Sequence, residues 1–319
     1  MKVLITGGAG FIGSHLADHL LNRGDQVVLL DDLSTGRLVN IEHLNNRSDT
    51  DFVLGSILDA DLIDDTVSRV DAIFHLAAAV GVNLIVEKPL ESLMTNIRGT
   101  ETVIEKAHRY DKRLLVMSTS EIYGKNTSDS LSEEDNRVLG SPLKSRWSYS
   151  EAKAIDEILA YTYWREKGLE TVIIRLFNTV GPRQTGSYGM VIPRFVGQAL
   201  RNEPITIFGD GNQTRCFCHV GDVVVGLVAL SEHPEAFGKV FNLGGGEEIS
   251  IRELAEHVIR LTGSKSDLEF IPYDVAYEAG FEDMERRVPN TDRARHLVGF
   301  NPAAGIDDII QSVIDDQQA

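Results

Sequence analysis

The sequence predicts an α/β protein in which a doubly wound parallel sheet carries a smaller α/β lobe on its C-terminal side. Two patterns support this class. Apolar runs alternate with amphipathic segments, and each run is continuous, as in parallel strands that are buried on both faces. The alternation implies right-handed crossovers between parallel neighbours. The runs in the first half lie at residues 3–5, 27–30, 52–54, 72–76, 114–117 and 171–176.

Helical periodicity fills the intervals between these strands, at residues 11–23, 89–108 and 148–167. Residues 125–139 are polar and are expected to form a surface loop. We expect a sheet domain over residues 1–180 and a second lobe over residues 181–319, with the strand at 240–243 able to return to the main sheet. The second lobe mixes strands at 205–208, 240–243 and 268–271 with helices at 191–201, 222–231, 250–261 and 306–314.

The composition excludes several classes of partner. Lys and Arg number 31 against 48 Asp and Glu, which gives the 319 residues a formal net charge of −17. Such a chain lacks the basic footprint of proteins that bind nucleic acid or anionic membranes, although it can bind a small anion locally. Two cysteines cannot build a disulfide framework, and neither a signal peptide nor a membrane span is apparent, so we expect a cytoplasmic protein.

A glycine-rich turn follows the first predicted strand. Residues 6–13 read Thr-Gly-Gly-Ala-Gly-Phe-Ile-Gly, and a predicted helix begins within them. Glycines let a pyrophosphate approach the backbone, and the start of the helix presents amides to the anion. The alternative is a turn that holds no ligand. The motif predicts a dinucleotide site at Gly7, Gly10, Phe11, Ile12 and Gly13.

Asp31 closes the second predicted strand, at the spacing where a carboxylate accepts hydrogen bonds from ribose hydroxyls. A carboxylate at this position repels the 2′-phosphate of NADP, so NAD is the expected cofactor. The nearby Arg37 leaves NADP open. An ordinary strand-end turn is the alternative for Asp31.

Tyr149 and Lys153 lie four residues apart on a predicted helix and therefore share a face. A nearby ammonium lowers the pKa of a phenol, which would make Tyr149 a general base near neutral pH. Thr119 and Glu121 follow the fifth predicted strand, where doubly wound sheets place reacting groups. Taken alone, the same residues are also typical of a solvated helix face and a helix cap.

Together these motifs resemble the extended short-chain dehydrogenase/reductase family of NAD-dependent nucleotide-sugar epimerases, dehydratases and decarboxylases. The likeness covers nearly the whole chain and implies a Rossmann-like sheet with a nucleotide-sugar-binding lobe. It depends on the glycine motif, His-Leu-Ala-Ala at 75–78, Asn-Ile-Arg-Gly-Thr at 96–100, Ser-Thr-Ser-Glu-Ile-Tyr-Gly at 118–124, the Tyr149/Lys153 pair and Arg-Leu-Phe-Asn-Thr-Val-Gly-Pro-Arg at 175–183.

The resemblance implies a role for each matching residue. Tyr149 would be the base, Lys153 its activator and a ligand of the nicotinamide ribose, and Thr119 a partner of the sugar O4. Ser56 stands where many members have Asp, and it can replace part of that contact to adenine. Substrate contacts are expected at Ser120, Asn178, Arg183, Arg215 and Arg287. Further cofactor contacts are expected at Asp32, Ser34, Thr35, Gly36, Ser56, Ile57, Leu76, Ala77, Ala78 and Asn96.

The favoured reaction is decarboxylation of UDP-glucuronate through a 4-keto intermediate, to UDP-xylose or the UDP-4-keto-pentose. Glu121 and the segments at 146–149 and 280–289 resemble UDP-glucuronate decarboxylases, and Arg287 would lie near the sugar carboxylate or near a phosphate. The loop at 77–87 matches those decarboxylases poorly. A UDP-sugar 4-epimerase and a nucleotide-sugar 4,6-dehydratase therefore stay open, with a non-catalytic NAD-binding scaffold as a remote alternative.

Two further expectations concern partners and metals. By resemblance, the helices at 89–108 and 148–167 pair across a two-fold axis, which predicts a homodimer. Cys216 and Cys218 precede His219, but no second pair of ligands follows, so we expect no metal site.

Overall fold

A seven-stranded parallel sheet forms the centre of the computed structural model, which describes residues 1–79, 89–144, 147–186, 190–272, 275, 284 and 286–319. The interior of its central strands is almost wholly buried and rich in Val, Ile and Leu, as the continuous apolar runs predict, whereas the edge strand at 50–54 is partly exposed. Its strands are β1 (Lys2–Thr6), β2 (Gln26–Asp31), β3 (Thr50–Leu54), β4 (Ala72–His75), β5 (Arg113–Thr119), β6 (Thr171–Leu176) and β11 (Lys239–Leu243).

The strand order is β11-β6-β5-β4-β1-β2-β3, and every neighbouring pair is parallel. The order reverses at β1, which pairs with β2 on one side and with β4 on the other. In doubly wound sheets, ligands bind in the crevice at such a reversal, outside the carboxyl ends of the strands. This topology confirms the predicted fold class, and β11 returns to the main sheet as the sequence allowed.

Helices cover both faces of the sheet. An apolar cluster on one face unites α1 (Phe11–Asn22), α6 (Val220–Glu232) and the short α8 (Asp292–Val298). A separate cluster on the other face unites α2 (Ala60–Ser68), α3 (Pro89–Arg109) and α4 (Ser148–Lys167). The helix at 60–68 had no counterpart in the sequence analysis, whereas α3 and α4 occupy the predicted positions within one residue.

The second lobe has its own apolar cluster, built mainly from α5 (Val191–Leu200), α7 (Ile251–Thr262) and α9 (Ile306–Gln318). Parallel strands β8 (Ile205–Phe208) and β13 (Leu268–Ile271) lie beside it. Three short strands, β9 (Thr214–Cys216), β12 (Glu248–Ser250) and β14 (Arg286–Arg287), form a small sheet, and β7 (Thr179–Val180) pairs with β10 (Cys218–His219). No helix in the described part of the chain is long and apolar enough to span a membrane.

The expectation of a surface loop at 125–139 is wrong for its middle. Leu131 and Glu133 are only 2% and 8% exposed. The backbone amide of Leu131 donates to Val288, and the Asn242 backbone amide donates to Glu133 Oε1 at 2.9 Å. The polar composition of this stretch therefore did not indicate that its middle packs against the end of β11. The few buried groups there form hydrogen bonds with backbone partners.

Candidate active site

The glycine turn brings the backbone unusually close to the end of β4. Gly7 has φ of +73°, and a Cβ at Gly7 would lie 2.9 Å from the Ala77 amide nitrogen. A Cβ at Gly13 would lie 2.2 Å from the Gly7 carbonyl oxygen. Gly10 precedes α1, which begins at Phe11 and has no side-chain cap, so the first-turn amides are directed at an incoming anion. These features fit a pyrophosphate cradle.

Asp31 lies buried at the end of β2 and organises this turn. Its carboxylate accepts hydrogen bonds from the backbone amides of Ala9 at 2.9 Å and Leu33 at 2.8 Å. Burial raises the pKa of Asp31, while those two amide contacts, Leu33 foremost, oppose the rise. Each carboxylate oxygen keeps acceptor capacity for a ribose hydroxyl. Gly36 passes so close that a Cβ there would meet Asp31 Oδ1 at 2.6 Å.

Several of the other predicted cofactor residues make defined contacts with the backbone or with neighbouring side chains. Asn96 holds the backbone of Ala79 from both sides, accepting from its amide at 2.7 Å and donating to its carbonyl at 3.2 Å. The Leu76 and Ala77 amides bond to the carbonyl and hydroxyl of Thr6. Asp32 accepts from the Ser34 amide at 3.0 Å, Ser56 accepts from the Leu58 amide at 3.3 Å, and the Ile57 side chain packs on Gly99.

Thr119 ends β5 and starts a tight turn that carries Ser120 and Glu121. The Thr119 hydroxyl accepts from the Glu121 amide at 3.2 Å and so caps this turn. Ser150, in the first turn of α4, donates to the Glu121 carbonyl at 3.0 Å. These bonds fix Thr119 and Glu121 relative to the beginning of α4, where Tyr149 stands.

Tyr149 and Lys153 share a face of α4 and are both buried, at 8% and 2% exposure. The Lys153 ammonium donates to Asp156 Oδ2 at 3.1 Å. Burial raises the pKa of Tyr149, and the negative charges of Glu121 and Asp156 raise it further. The lowered pKa predicted from the Tyr149/Lys153 spacing is wrong for the protein without ligands, because burial of the phenol outweighs the nearby ammonium and two carboxylates add to the rise.

His75, at the end of β4, is a buried structural residue. Its ring nitrogens bond to the hydroxyls of Thr6 at 2.8 Å and Thr100 at 3.1 Å. Burial, assisted by the positive charge of Lys153, lowers the pKa of His75 to about 3. The imidazole is therefore neutral at physiological pH and ties the glycine turn to α3.

Two predicted arginines meet beside the turn after β5. Arg215 of β9 and Arg287 of β14 are direct neighbours in a parallel pair. Arg287 donates to Ser120 Oγ at 3.4 Å and to Asn178 Oδ1 at 3.3 Å, and it lies 3.9 Å from Glu121 Oε1. The structure thus gathers Arg287, Ser120, Glu121 and Asn178 into one polar cluster, with Arg215 as the strand neighbour of Arg287.

Arg183 makes its contacts elsewhere. Its guanidinium pairs with Asp18 of α1 at 2.8 Å, and its amide donates to Asp316 of α9 at 2.9 Å. These contacts join the second lobe to the cofactor side of the sheet. A direct substrate contact for Arg183 stays a prediction.

The sequence analysis missed a buried polar network beneath the site. Glu157 of α4 binds Arg175 through two hydrogen bonds of 2.9 and 2.7 Å and accepts from Ser118 at 2.5 Å. Arg175 also donates to the Tyr123 hydroxyl at 3.0 Å. The helical spacing of Glu157, four residues after Lys153, was the only signal available.

Some sequence observations lie outside the described residues: Arg146, residues 280–283 and most of the loop at 77–87. Cys216 and Cys218 are buried free thiols. Within the described ranges, His, Cys, Asp and Glu side chains form no group of three or more that could hold a metal ion.

Comparisons with known proteins extend these observations. The model of the NAD dependent epimerase/dehydratase family matches residues 3–244. A UDP-N-acetyl-alpha-D-glucosaminuronate decarboxylase of Bacillus cytotoxicus is 39% identical over 302 residues, covering 94% of this chain and 92% of the relative. UDP-glucuronic acid decarboxylase 1 of Arabidopsis thaliana is 34% identical over 319 residues, with 99% and 69% covered.

Among solved structures, the UDP-glucuronic acid 4-epimerase of Bacillus cereus in complex with UDP-glucuronic acid and NAD is similar over the whole chain. Its TM-score is 0.89 at 29% identity, with 100% of this chain and 99% of that chain covered.

Proposed function

Because the chain belongs to the NAD dependent epimerase/dehydratase family, we propose that it is an NAD-using decarboxylase of a UDP-hexuronate, with UDP-glucuronate as the first candidate substrate. The observation that carries the proposal is the position of Arg287. Its guanidinium lies beside Ser120, Glu121 and Asn178, close to the proposed catalytic residue Thr119, and Arg215 is its neighbour on the adjacent strand.

The crevice fits NAD. The glycine turn and the first turn of α1 would hold the pyrophosphate, and Asp31 would accept from the adenosine ribose. Asn96 keeps the end of β4 open beside them through its two bonds to Ala79. When bound, NAD accepts a hydride from C4 of the sugar, and its positive nicotinamide ring favours loss of the Tyr149 proton.

Side chains of this protein remove the proton from O4 of the sugar. Tyr149 removes the O4 proton as C4 is oxidised to a ketone, and the Thr119 hydroxyl holds O4 in place. Lys153 lies one helical turn along, with its ammonium bonded to Asp156 at 3.1 Å. Tyr149 is almost fully buried, in the first turn of the helix that follows the segment at 119–121.

Decarboxylation then follows from the position of the new ketone. The C6 carboxylate is β to C4, so the C5–C6 bond can break with its electron pair moving toward C5 and the C4 oxygen, and carbon dioxide leaves. A proton from water at C5 gives the UDP-4-keto-pentose. Return of the hydride to C4, with Tyr149 giving its proton back to O4, gives UDP-xylose. Arg287 would orient the carboxylate before it leaves, while Arg215 would pair with the diphosphate.

Two other reactions of the 4-ketone intermediate compete with decarboxylation. Re-reduction from the opposite face would make the enzyme a 4-epimerase, the activity named for the similar Bacillus cereus structure. Loss of water between C5 and C6 would make it a 4,6-dehydratase. A relative acts on an N-acetylated uronate, so the substituent at C2 of the preferred sugar also has to be tested.

One panel of substrates decides among these reactions. The enzyme is incubated with NAD and, separately, with UDP-glucuronate, UDP-N-acetylglucosaminuronate, UDP-glucose and dTDP-glucose, with NMR of the sugar and measurement of released carbon dioxide. Carbon dioxide with a pentose product from either uronate supports the proposal. Turnover confined to the neutral hexoses, or a uronate epimerised without gas release, rejects decarboxylation.

We also propose that the protein is a cytoplasmic homodimer. Three apolar side chains on one side of α4, Ile155, Ile158 and Tyr161, are 38%, 63% and 42% exposed. Light scattering after gel filtration should give the mass of two chains, and Ile158→Glu should shift it toward one. A fluorescently tagged chain found outside the cytoplasm would contradict the proposed location.

A further inference from the structure

A buried acid–base pair lies directly behind the proposed base. Lys153 donates to Asp156 at 3.1 Å, and the two side chains are 2% and 0% exposed. Tyr149, Lys153 and Asp156 follow one another at helical spacings of four and three residues, so all three face the same side of α4. None of the sequence motifs pointed to Asp156.

Lys153 is the oppositely charged partner of Asp156. Its Oδ1 atom has no hydrogen-bond partner within the described ranges. Burial raises the pKa of Asp156, and the charge of Lys153 and a hydrogen bond from Thr100 act against that rise. The next residue, Glu157, is already engaged by Arg175 through two bonds.

Thr100 connects this pair to the cofactor side. Its hydroxyl bonds to His75 at 3.1 Å, and His75 bonds to Thr6 at 2.8 Å, next to the glycine turn. His75 is neutral because burial lowers its pKa to about 3. In the described part of the chain, the charged groups on this side of α4 include Lys153, Asp156 and Glu157 of the helix itself and Arg175 from β6. Glu121, from the turn after β5, also acts here and lies 3.9 Å from Arg287.

The electrostatic consequence concerns Tyr149. An ammonium held by a buried carboxylate contributes little net positive charge, so it cannot offset burial, which is the main reason that the pKa of Tyr149 is raised. A site arranged in this way keeps the phenol protonated until positive charge is added. The nicotinamide ring of oxidised NAD brings that charge, and the reduced ring does not.

We propose that Asp156 is a positioning residue that fixes the Lys153 ammonium and restrains the acidity of Tyr149, so that Tyr149 gives up its proton only when oxidised NAD is bound. The inference rests on the proposed role of Tyr149 as the base, and it does not depend on which sugar is the substrate.

The test is an ultraviolet titration of tyrosinate in the NAD-loaded protein. The signal of Tyr149 is isolated by subtracting the same titration of a matched Tyr149→Phe protein. In Asp156→Asn, the tyrosinate should appear at lower pH by about one unit. Glu166→Gln removes an exposed carboxylate at the far end of α4 and should leave the titration unchanged. Loading with reduced NAD should move the titration of the parent to higher pH.

The pH–rate profile supplies a second readout. The rate rises with pH as Tyr149 loses its proton, so a more acidic Tyr149 moves that limb to lower pH, and the rate at a fixed pH on the limb rises about tenfold for each unit. Identical tyrosinate titrations of Asp156→Asn and the parent would overturn the proposal even if the rates differ. A panel in which no sugar reacts would reject the proposed function and leave this titration interpretable.

A variant that does not fold leaves the proposal testable. If Asp156→Asn is unfolded by circular dichroism, Lys153→Met is compared with Lys153→Met/Asp156→Asn, which removes both charges of the pair. In the double variant, Tyr149 should lose its proton at lower pH than in Lys153→Met, because the Asp156 carboxylate is gone. Equal titrations of these two proteins would overturn the proposal.

Discussion

Replacing Arg175 with Met should destabilise the fold much more than replacing both members of its buried pair. Arg175 and Glu157 have only 10% and 11% of their side-chain surfaces exposed, and they meet through two hydrogen bonds. Arg175→Met leaves the Glu157 carboxylate buried with the Ser118 hydroxyl as its remaining hydrogen-bond donor within the described ranges. An uncompensated buried charge of this kind costs about 3–5 kcal/mol.

The double variant Arg175→Met/Glu157→Leu removes the stranded charge. It leaves the hydroxyl of Ser118 without its acceptor and the carbonyl of Glu133 without its donor from Arg175. The Tyr123 hydroxyl keeps its bond to Asn242 at 2.7 Å. Losing the first two bonds costs about 1 kcal/mol each. We therefore expect about 1–2 kcal/mol for the double variant, which makes it more stable than Arg175→Met alone.

Urea denaturation followed by circular dichroism measures both differences. In a thermal scan, the entropy of unfolding scales to about 0.7 kcal/mol/K for a chain of this length, so about 4 kcal/mol should lower Tm by about 6 °C. The reasoning fails if Arg175→Met lies within about 1 kcal/mol of the parent, or if the double variant is no more stable than the single one. Either result would mean that water reaches the pair.

Three further changes test the site itself. Tyr149→Phe should lower turnover of every nucleotide sugar by at least about 100-fold, measured by NMR, with the circular dichroism spectrum unchanged. Gly13→Ala should abolish retention of NAD, measured by release on denaturation, because the added Cβ would lie 2.2 Å from a carbonyl oxygen. At Gly246 an added Cβ meets open space, so Gly246→Ala should retain NAD. Arg287→Lys should reduce turnover of UDP-glucuronate more than its affinity, while Arg215→Lys should chiefly weaken UDP binding in a calorimetric titration, since Lys cannot pair bidentately.

The features that could be predicted from the sequence are those set by local pattern. Continuous apolar runs gave six strands of the sheet, and the glycine motif gave the cofactor turn, since both depend on neighbouring residues alone. The family match and the NAD-containing neighbour confirm the predicted family and cofactor. The helix spacing that joined Tyr149 to Lys153 was also local, and the structure keeps them on one buried face.

What escaped prediction depends on packing across distant segments. Asp156 lies three residues after Lys153, so the spacing allowed a pair, but only the fold shows that both side chains are buried. Burial of Tyr149 itself, with the charges of Glu121 and Asp156 added, reverses the expected effect on its pKa. Likewise, Glu133 lies in a polar stretch and is buried because it bonds to β11, more than a hundred residues away along the chain.

The pairing of Arg215 with Arg287 is the clearest argument that the site is built for an anion. Like charges placed opposite each other on neighbouring strands are destabilising in the absence of compensation. These two are direct partners in a parallel pair, within a chain whose net charge is −17. The Glu121 carboxylate also lies 3.9 Å from Arg287. In the proposed function, a diphosphate that bears a uronate would present anionic groups to both guanidiniums, whereas a neutral hexose would present them only through the diphosphate.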